Sequence, residues 1–320
     1  MRSEGDNISL TVIMPVFNAA PYVGEAIESI LGQTYGDFEL IIADDGSTDG
    51  SREVIEKYND PRIILSHNLK NVGKTATVNR LFKMARGSYV TIHDADDASE
   101  PRRFEVQLEK MNIDATLVFC GCNFTAVSID GKLKGTSNLM VHNSDLKEGM
   151  FQRPQFHGPT VVFRREAAAK LDEIYRPFFK DYNEDYDFLF RLMEWGEVTN
   201  CPEVLYKYRV TPLSLSRKLT PQKRVSVRLV QHLARQRQQS GTDDLMAGRI
   251  DEVNRKLQEL TEPYLRDKSL ILREQAELDV YYGFYRNGLM SALRAVKTAP
   301  TVARNYRLVQ HILRKRLLGF

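Results

Sequence analysis

No apolar stretch in the 320-residue chain approaches the roughly 20 residues that cross a bilayer, so a helical membrane span is not expected. No secretory leader is expected either. Met1 to Asn7 is polar, and the run Ile8 to Val16 is short and lacks a small-residue cleavage site. Cysteine is scarce: Cys120 and Cys122 stand two apart and Cys201 is remote. That spacing gives neither a disulfide framework nor a zinc signature, and it agrees with a cytoplasmic setting. Glycine-rich phosphate loops are missing after the first apolar run, where "MPVFNAAPY" stands. A dinucleotide-dependent enzyme and a sugar nucleotidyltransferase are thereby disfavoured. No internal repeat or low-complexity segment occurs. Acid is absent from Arg286 to Phe320, which carries eight Lys/Arg, although net charge is only +3.

What remains is ordinary globular composition, 42% hydrophobic and 27% charged. The first half alternates short apolar strands with amphipathic helices. "ISLTVIMPVFN", "FELIIADDGSTDG", "RIILSHN" and "SYVTIHDADD" read as strands. Between them, "APYVGEAIESILGQT" repeats its apolar positions at helical spacing. Thr48 or Asp49 can cap the helix after the second strand, and Pro101 opens the one after the fourth. Strands this apolar, alternating with helices, predict a parallel sheet covered on both faces. Ligands of such sheets bind at the carboxyl ends of the strands. The stretch 115–210 reads as mixed strands and helices, and from about Thr220 the pattern is helical and charged.

Carboxylates cluster where elements end. Asp44 and Asp45 close the second strand; Asp94, Asp96 and Asp97 close the fourth; Glu184 and Asp185 open a helix. Like charges this close repel unless a cation sits among them. Alternation along an extended segment puts Asp94 and Asp96 on one side and Asp97 on the other. Two carboxylates on one side partly cage Mn²⁺ or Mg²⁺, whose other positions are filled by water and phosphate oxygens. Asp185 shares a helix face with Phe188, Leu189 and Leu192. A carboxylate on that buried face, held by the positive helix end, suits a general base. Asp187 is placed to pair with Arg191.

Together these stretches resemble the family 2 glycosyltransferases from about Ser9 to Ser216. The markers run in the family's order: "VIMPVFNAAPYVGEAIESILGQTYGDFELIIADDGSTDGS", "NVGKTATVNRLFKMARGSYVTIHDADD", "HGPTVVFRR", "NEDYDFLFRL" and "YRVTPLSLS". The resemblance implies a GT-A fold: a Rossmann-like, mixed but mainly parallel sheet flanked by helices. It implies a glycosyltransferase domain at 1–215, with a nucleotide-sugar half to about 112 and an acceptor half at 113–215. A helical, basic extension at 216–320 would follow. By the same resemblance Pro15 and Phe17 flank a nucleotide base, and Asp45 bonds it with Asp44 beside it. Lys74, Asp94 and Ala95 contact the nucleotide sugar; Asp96, with Asp94, holds the metal. His157 lies near acceptor or diphosphate, Asp185 is the base, and Glu184 positions it or the acceptor. Ser214, Ser216 and Arg217 belong to a segment over the diphosphate. The loop after Asn71 departs from the family pattern, reading "GKTATVNR" with Asn79 retained.

The implied activity is inverting transfer of a sugar from a nucleotide diphosphate, UDP foremost, to a hydroxyl of a glycan or lipid-linked acceptor. Bacterial-type polysaccharide or glycolipid assembly is the implied setting. A non-catalytic nucleotide-sugar-binding scaffold is the alternative from another class. A haloacid dehalogenase-type phosphatase also uses D-x-D, but Ala98 stands where that motif wants Thr or Val, and three strands precede it. "TVARNYRLVQHILRKRLLGF" sets Val302, Tyr306, Val309, Leu313 and Leu317 at helical spacing among arginines. That stripe fits the inner face of the plasma membrane, the catalytic domain or a second copy of the chain. Nucleic acid is not expected, because no aromatic-rich or helix-turn-helix context accompanies the charge.

Overall fold

The computed structural model describes residues 8–180, 182–210, 219–281 and 284–318. Ser214, Ser216 and Arg217 lie outside them. By contact the described residues form two units, 8–127 with 136–209, and 128–135 with those from 210 onward.

In the first unit the apolar runs become β1 (Leu10–Val16), β2 (Phe38–Asp44), β3 (Ile63–His67) and β4 (Tyr89–Ile92). Every residue of β2 and β4 is buried, as strands covered on both faces require. Helices α1 (Val23–Leu31), α2 (Ser51–Ile55) and α3 (Lys74–Phe82) connect them. Gly50, in the left-handed region, takes the cap position expected for Thr48 or Asp49; Asp49 instead accepts hydrogen bonds from the Ser51 backbone and hydroxyl at 3.0 and 2.5 Å. After a two-residue β5 (Ala98–Ser99), α4 spans Arg103–Ile113. It starts two residues beyond Pro101, because the Arg103 N–H bonds Glu100 O across a turn. Then follow β6 (Leu117–Ser128), β7 (Leu133–Thr136), whose first three residues count with the second unit, α5 (Asn143–Met150), β8 (Val162–Arg164) and α6 (Arg165–Ala168). Helix α7 (Glu184–Leu192) and β9 (Glu197–Val210) complete the unit up to Arg209.

The strand order is β3-β2-β1-β4-β8-β6-β9-β5. Strands β3, β2, β1 and β4 run parallel. Strand β8 is antiparallel to β4 and β6, and β5 to β9. The order reverses between β1 and β4, so their carboxyl ends border the crevice where open α/β sheets take ligands. The core on this sheet includes Val12, Met14, Ile27, Leu40, Phe104 and Tyr206. Remote in sequence, Cys201 is adjacent in space: its Sγ lies 3.4 Å from that of Cys120, beyond bonding length.

The second unit is helical: α8 (Pro221–Ser240), α9 (Ile250–Arg266), α10 (Leu270–Tyr281), α11 (Tyr285–Thr298) and α12 (Ala303–Leu318). Thr220 caps α8 by accepting from the Lys223 N–H, Pro221 opens it, and Gly241 closes it in the left-handed region. Among the described residues no helix is long and apolar enough to cross a membrane.

Candidate active site

Strand β4 stops at Ile92, and the chain does not continue extended. The Asp97 N–H reaches back to the Asp94 carbonyl at 3.3 Å, folding the turn tightly. This corrects the expected alternation. Instead of pointing to opposite sides, Asp94, Asp96 and Asp97 each offer a carboxylate oxygen within 4.8 Å of the others. The cation that opposes this charge within the protein is Lys74, at the start of α3: its Nζ lies 2.6 Å from Asp94 Oδ1. Burial by itself would depress the Lys74 amine. Asp94, with Tyr175 and Glu184 behind it, outweighs that and holds it well above its ordinary value. Burial opposes charge on Asp94 too, yet Lys74 keeps that carboxyl below the usual range. Asp96 makes no ion pair among the described residues, and burial together with Asp94, against Lys74 and Arg209, pushes it up to about 6. Asp97, deepest of the three, is driven well above its ordinary value by burial and then by Asp96 and Asp94.

The turn is clamped from β9. Arg209 donates its backbone N–H to Asp97 Oδ1 at 2.7 Å and its Nε to the Asp96 carbonyl at 2.9 Å. Its Nη2 pairs with Glu25 at 2.6 Å. Tyr206 lies beside Asp97 without closing a regular hydrogen bond to it. Behind both sits Arg103, fully buried, which bonds Ser99 Oγ, Thr91 Oγ1 and the Pro159 carbonyl at 2.7–3.0 Å. Its guanidinium stacks over the Tyr206 ring at 4.9 Å. None of these three was singled out from sequence. Arg103 did leave a signal: Arg103 and Gln107 fall four apart on the otherwise apolar inner face of α4, and they bond each other at 3.0 Å.

Asp185 faces the same turn from the first turn of α7. Burial raises its carboxyl, Lys74 pulls it down and Asp94 pushes it up, so all three share one field. Its Oδ1 accepts the Tyr186 N–H at 2.7 Å. Asn183 occupies the cap position in the left-handed region, without a side-chain capping bond. Gly158 packs against the other oxygen so closely that a Cβ there would sit 2.3 Å from Oδ2. Asp185, Gly158, Ile92 and Tyr175 border a cavity of about 10 Å³, one water in size. Glu184, buried, acts electrostatically on Lys74 and Tyr175. Asp187 pairs with Arg191 at 2.9 Å, as expected, and also with Arg176.

His157 adjoins this field. Burial, with Lys74 and Arg103 against Asp94, depresses its imidazole to about 4, so it is neutral at pH 7. Its Nε2 is buried with no partner among the described residues, while the ring packs on Phe124 and Tyr208 at 4.6 and 4.7 Å. Asn79, the retained family residue, is a strut: it exchanges hydrogen bonds of 2.7 and 2.9 Å with the Tyr175 backbone.

On the β1 and β2 ends, Pro15 lies opposite Ala43 and Phe17 is half exposed. Asp45 is buried, with its carboxylate accepting from Asn68 Nδ2, the Val72 N–H and the Gly73 N–H at 2.7–3.0 Å. It therefore fastens the loop that delivers Lys74. Gly46 sits in the left-handed region with the backbone of Lys70 and Asn71 under 3 Å from where a Cβ would be. Asp44 accepts the Ser47 N–H at 3.2 Å. Ala95 is buried within the acidic turn.

A mixed, mainly parallel sheet of this order, flanked by helices, is a GT-A-like fold. The profile of Glycosyl transferase family 2 matches residues 11–172, half of the chain. The chain belongs to that family. An uncharacterized glycosyltransferase of Methanocaldococcus jannaschii is 31% identical over 221 residues, covering 66% of this chain and 73% of the relative. The Escherichia coli enzyme WfgD, a UDP-Glc:alpha-D-GlcNAc-diphosphoundecaprenol beta-1,3-glucosyltransferase, is 29% identical over 66% of this chain and 81% of its own. Among solved structures, Staphylococcus aureus TarS 1–349 with UDP-GlcNAc aligns with a TM-score of 0.61 at 18% identity, over 97% and 92% of the two chains. The mannosyltransferase PcManGT of Pyrobaculum calidifontis, with GDP-Man and Mn²⁺, gives 0.56 at 19%, over 98% and 82%. Likeness at these identities speaks for the fold.

Proposed function

We propose that this glycosyltransferase moves a hexose or N-acetylhexosamine from a nucleotide diphosphate, UDP foremost, to an acceptor hydroxyl with inversion. The carrying observation is convergence: Asp185, Lys74 and the Asp94–Asp97 turn come from separate elements and share one electrostatic field. The nucleoside lies against Pro15 and Phe17, with Asp44 and Asp45 at the rim and Ala95 beneath. The carboxylates of Asp96 and Asp94 fit Mn²⁺ or Mg²⁺, because they converge with Asp97 within 4.8 Å and an oxygen-only donor set suits a hard ion. When bound, such an ion supplies neutralisation of the charge that grows on the diphosphate.

The chain's own residues do the remaining work. The Asp185 carboxylate accepts the acceptor's hydroxyl proton as that oxygen bonds the anomeric carbon. The bond from that carbon to the diphosphate oxygen breaks on the opposite face, and its electron pair leaves with the nucleotide. One displacement with one base inverts the centre, as in inverting glycoside hydrolysis. Glu184 balances Lys74 behind the base. Neutral His157 offers its unpartnered Nε2 toward diphosphate or acceptor. The relative WfgD acts on a diphosphoundecaprenol-linked sugar, which favours a glycan or lipid-linked acceptor here.

The test is a screen of UDP- and GDP-sugars with and without Mn²⁺ for donor hydrolysis and for transfer to lipid-diphosphate acceptors. The product anomer is then read by NMR. A product that keeps the donor's configuration, or phosphate release without sugar transfer, refutes the proposal.

A further inference from the structure

We propose that the outer faces of α11 and α12 are a docking surface for an anionic lipid bilayer. The surface stands on this helix pair alone and does not depend on which sugar the enzyme transfers. The pair shares a core with α10: Ala276 and Val280 of α10 are buried with Ala292 and Ile312, and Leu289, Leu308 and Val309 pack on them. Asn305, fully buried, pins the two helices by donating to the Ala295 and Ala299 carbonyls at 2.9 and 2.8 Å. Arg273 of α10 donates to the Asn305 Oδ1 at 2.8 Å. The inner faces are thus satisfied, and what the hairpin shows outside is fixed.

Of the stripe read from sequence, Val309 faces inward while Tyr306 and Leu313 do not. The outside combines two things rarely left together. Met290, Leu293, Tyr306 and Leu313 are 39–52% exposed. Around them Arg286, Arg294, Lys297, Arg304, Arg307 and Arg314 are exposed, and no Asp or Glu follows Asp279. On α11, Arg286, Met290, Leu293 and Lys297 follow one another at helical spacing along one face. Apolar side chains between cations, with no compensating acid, match the acyl–headgroup boundary of an anionic leaflet. A second copy of the chain is a poor occupant. A twofold contact would set this cationic face against itself, and nothing acidic on the hairpin would relieve it.

The experiment is flotation of the full chain with neutral phosphatidylcholine vesicles and with vesicles holding 30% phosphatidylglycerol. Binding is expected on the anionic vesicles only, and to be released by 0.5 M salt. Each base near the surface contributes about fivefold in partitioning. The triple variant Arg294→Gln/Lys297→Gln/Arg307→Gln should therefore bind roughly 10²-fold more weakly. Met290→Ser/Leu293→Ser should bind more weakly without changing the salt dependence. Neutralising three exposed bases elsewhere, Arg52→Gln/Lys57→Gln/Lys83→Gln, should leave flotation unchanged. The proposal is overturned by no flotation at low salt, by equal binding of the two triple variants, or by a dimer in sedimentation that the serine variant dissociates while vesicles remain unbound.

Discussion

Replacing Gly158 with alanine probes the base assignment without touching a charged group. Gly158 opens a 3₁₀ turn and is not in the left-handed region, so its backbone accepts a Cβ. Space is the obstacle. The added carbon falls 2.3 Å from Asp185 Oδ2 and 3.1 Å from both its Cβ and Cγ. Ordinary contact needs about 1 Å more, and the carboxylate is not free to swing because Oδ1 holds the Tyr186 N–H. A base displaced by about 1 Å costs on the order of 10²-fold in turnover, or about 2.7 kcal/mol of barrier at 1.36 kcal/mol per decade. Overpacking itself should destabilise by about 1–3 kcal/mol, so the melting temperature is measured alongside. The assay is kcat at saturating donor and acceptor, with donor affinity by calorimetry. Turnover should fall about 10²-fold with donor affinity kept. Since both changes act through one carboxylate, Gly158→Ala/Asp185→Asn should be no slower than Asp185→Asn alone. A folded Gly158→Ala enzyme within threefold of the parent, or additive losses in the double variant, would refute the reasoning.

Asp185→Asn should lower kcat by about 10²-fold or more while raising thermal stability at pH 7. Its folded carboxyl is raised, so the stability it lends is present below the unfolded value and lost as pH rises through the folded one. At neutral pH the charge is therefore a cost that asparagine removes. By the same sign, activity of the parent should fall as pH drops through a value above 3.8, and an acid limb at or below that value would contradict the burial argument. Asp96→Ala should abolish Mn²⁺-dependent nucleotide binding in calorimetry; retained metal dependence would move the ion elsewhere. Arg209→Met should weaken that metal-dependent binding by about tenfold to 10²-fold, the usual loss when groups orienting a metal ligand are removed. Arg209→Lys should recover part of it, and kcat at saturating Mn²⁺ should change little. An unchanged metal affinity would reduce Arg209 to packing.

What was legible in the sequence is what repeats locally. Continuous apolar runs announced β1, β2 and β4, because a strand buried on both faces has no reason to alternate. Asp185 was visible as an acid out of place on an apolar helix face, and it shares a field with Lys74 and Asp94. Less legible was everything set by a partner distant in the chain. Lys74 and Asp94 are 20 residues apart and Arg209 is 113 from Asp96; spacing cannot announce such pairs. The alternation rule failed at Asp97 for a related reason. It presumes an extended chain, whereas a turn after Ile92 is held from outside by the end of β9. That turn relates the whole site. Three carboxylates are brought together against their own repulsion, Lys74 neutralises one, Arg209 holds the Asp96 carbonyl and the Asp97 carboxylate, and burial with Asp94 leaves Asp96 raised to about 6. Fold stability would be better served by fewer charges at that point, and the proposed divalent ion is what would offset them.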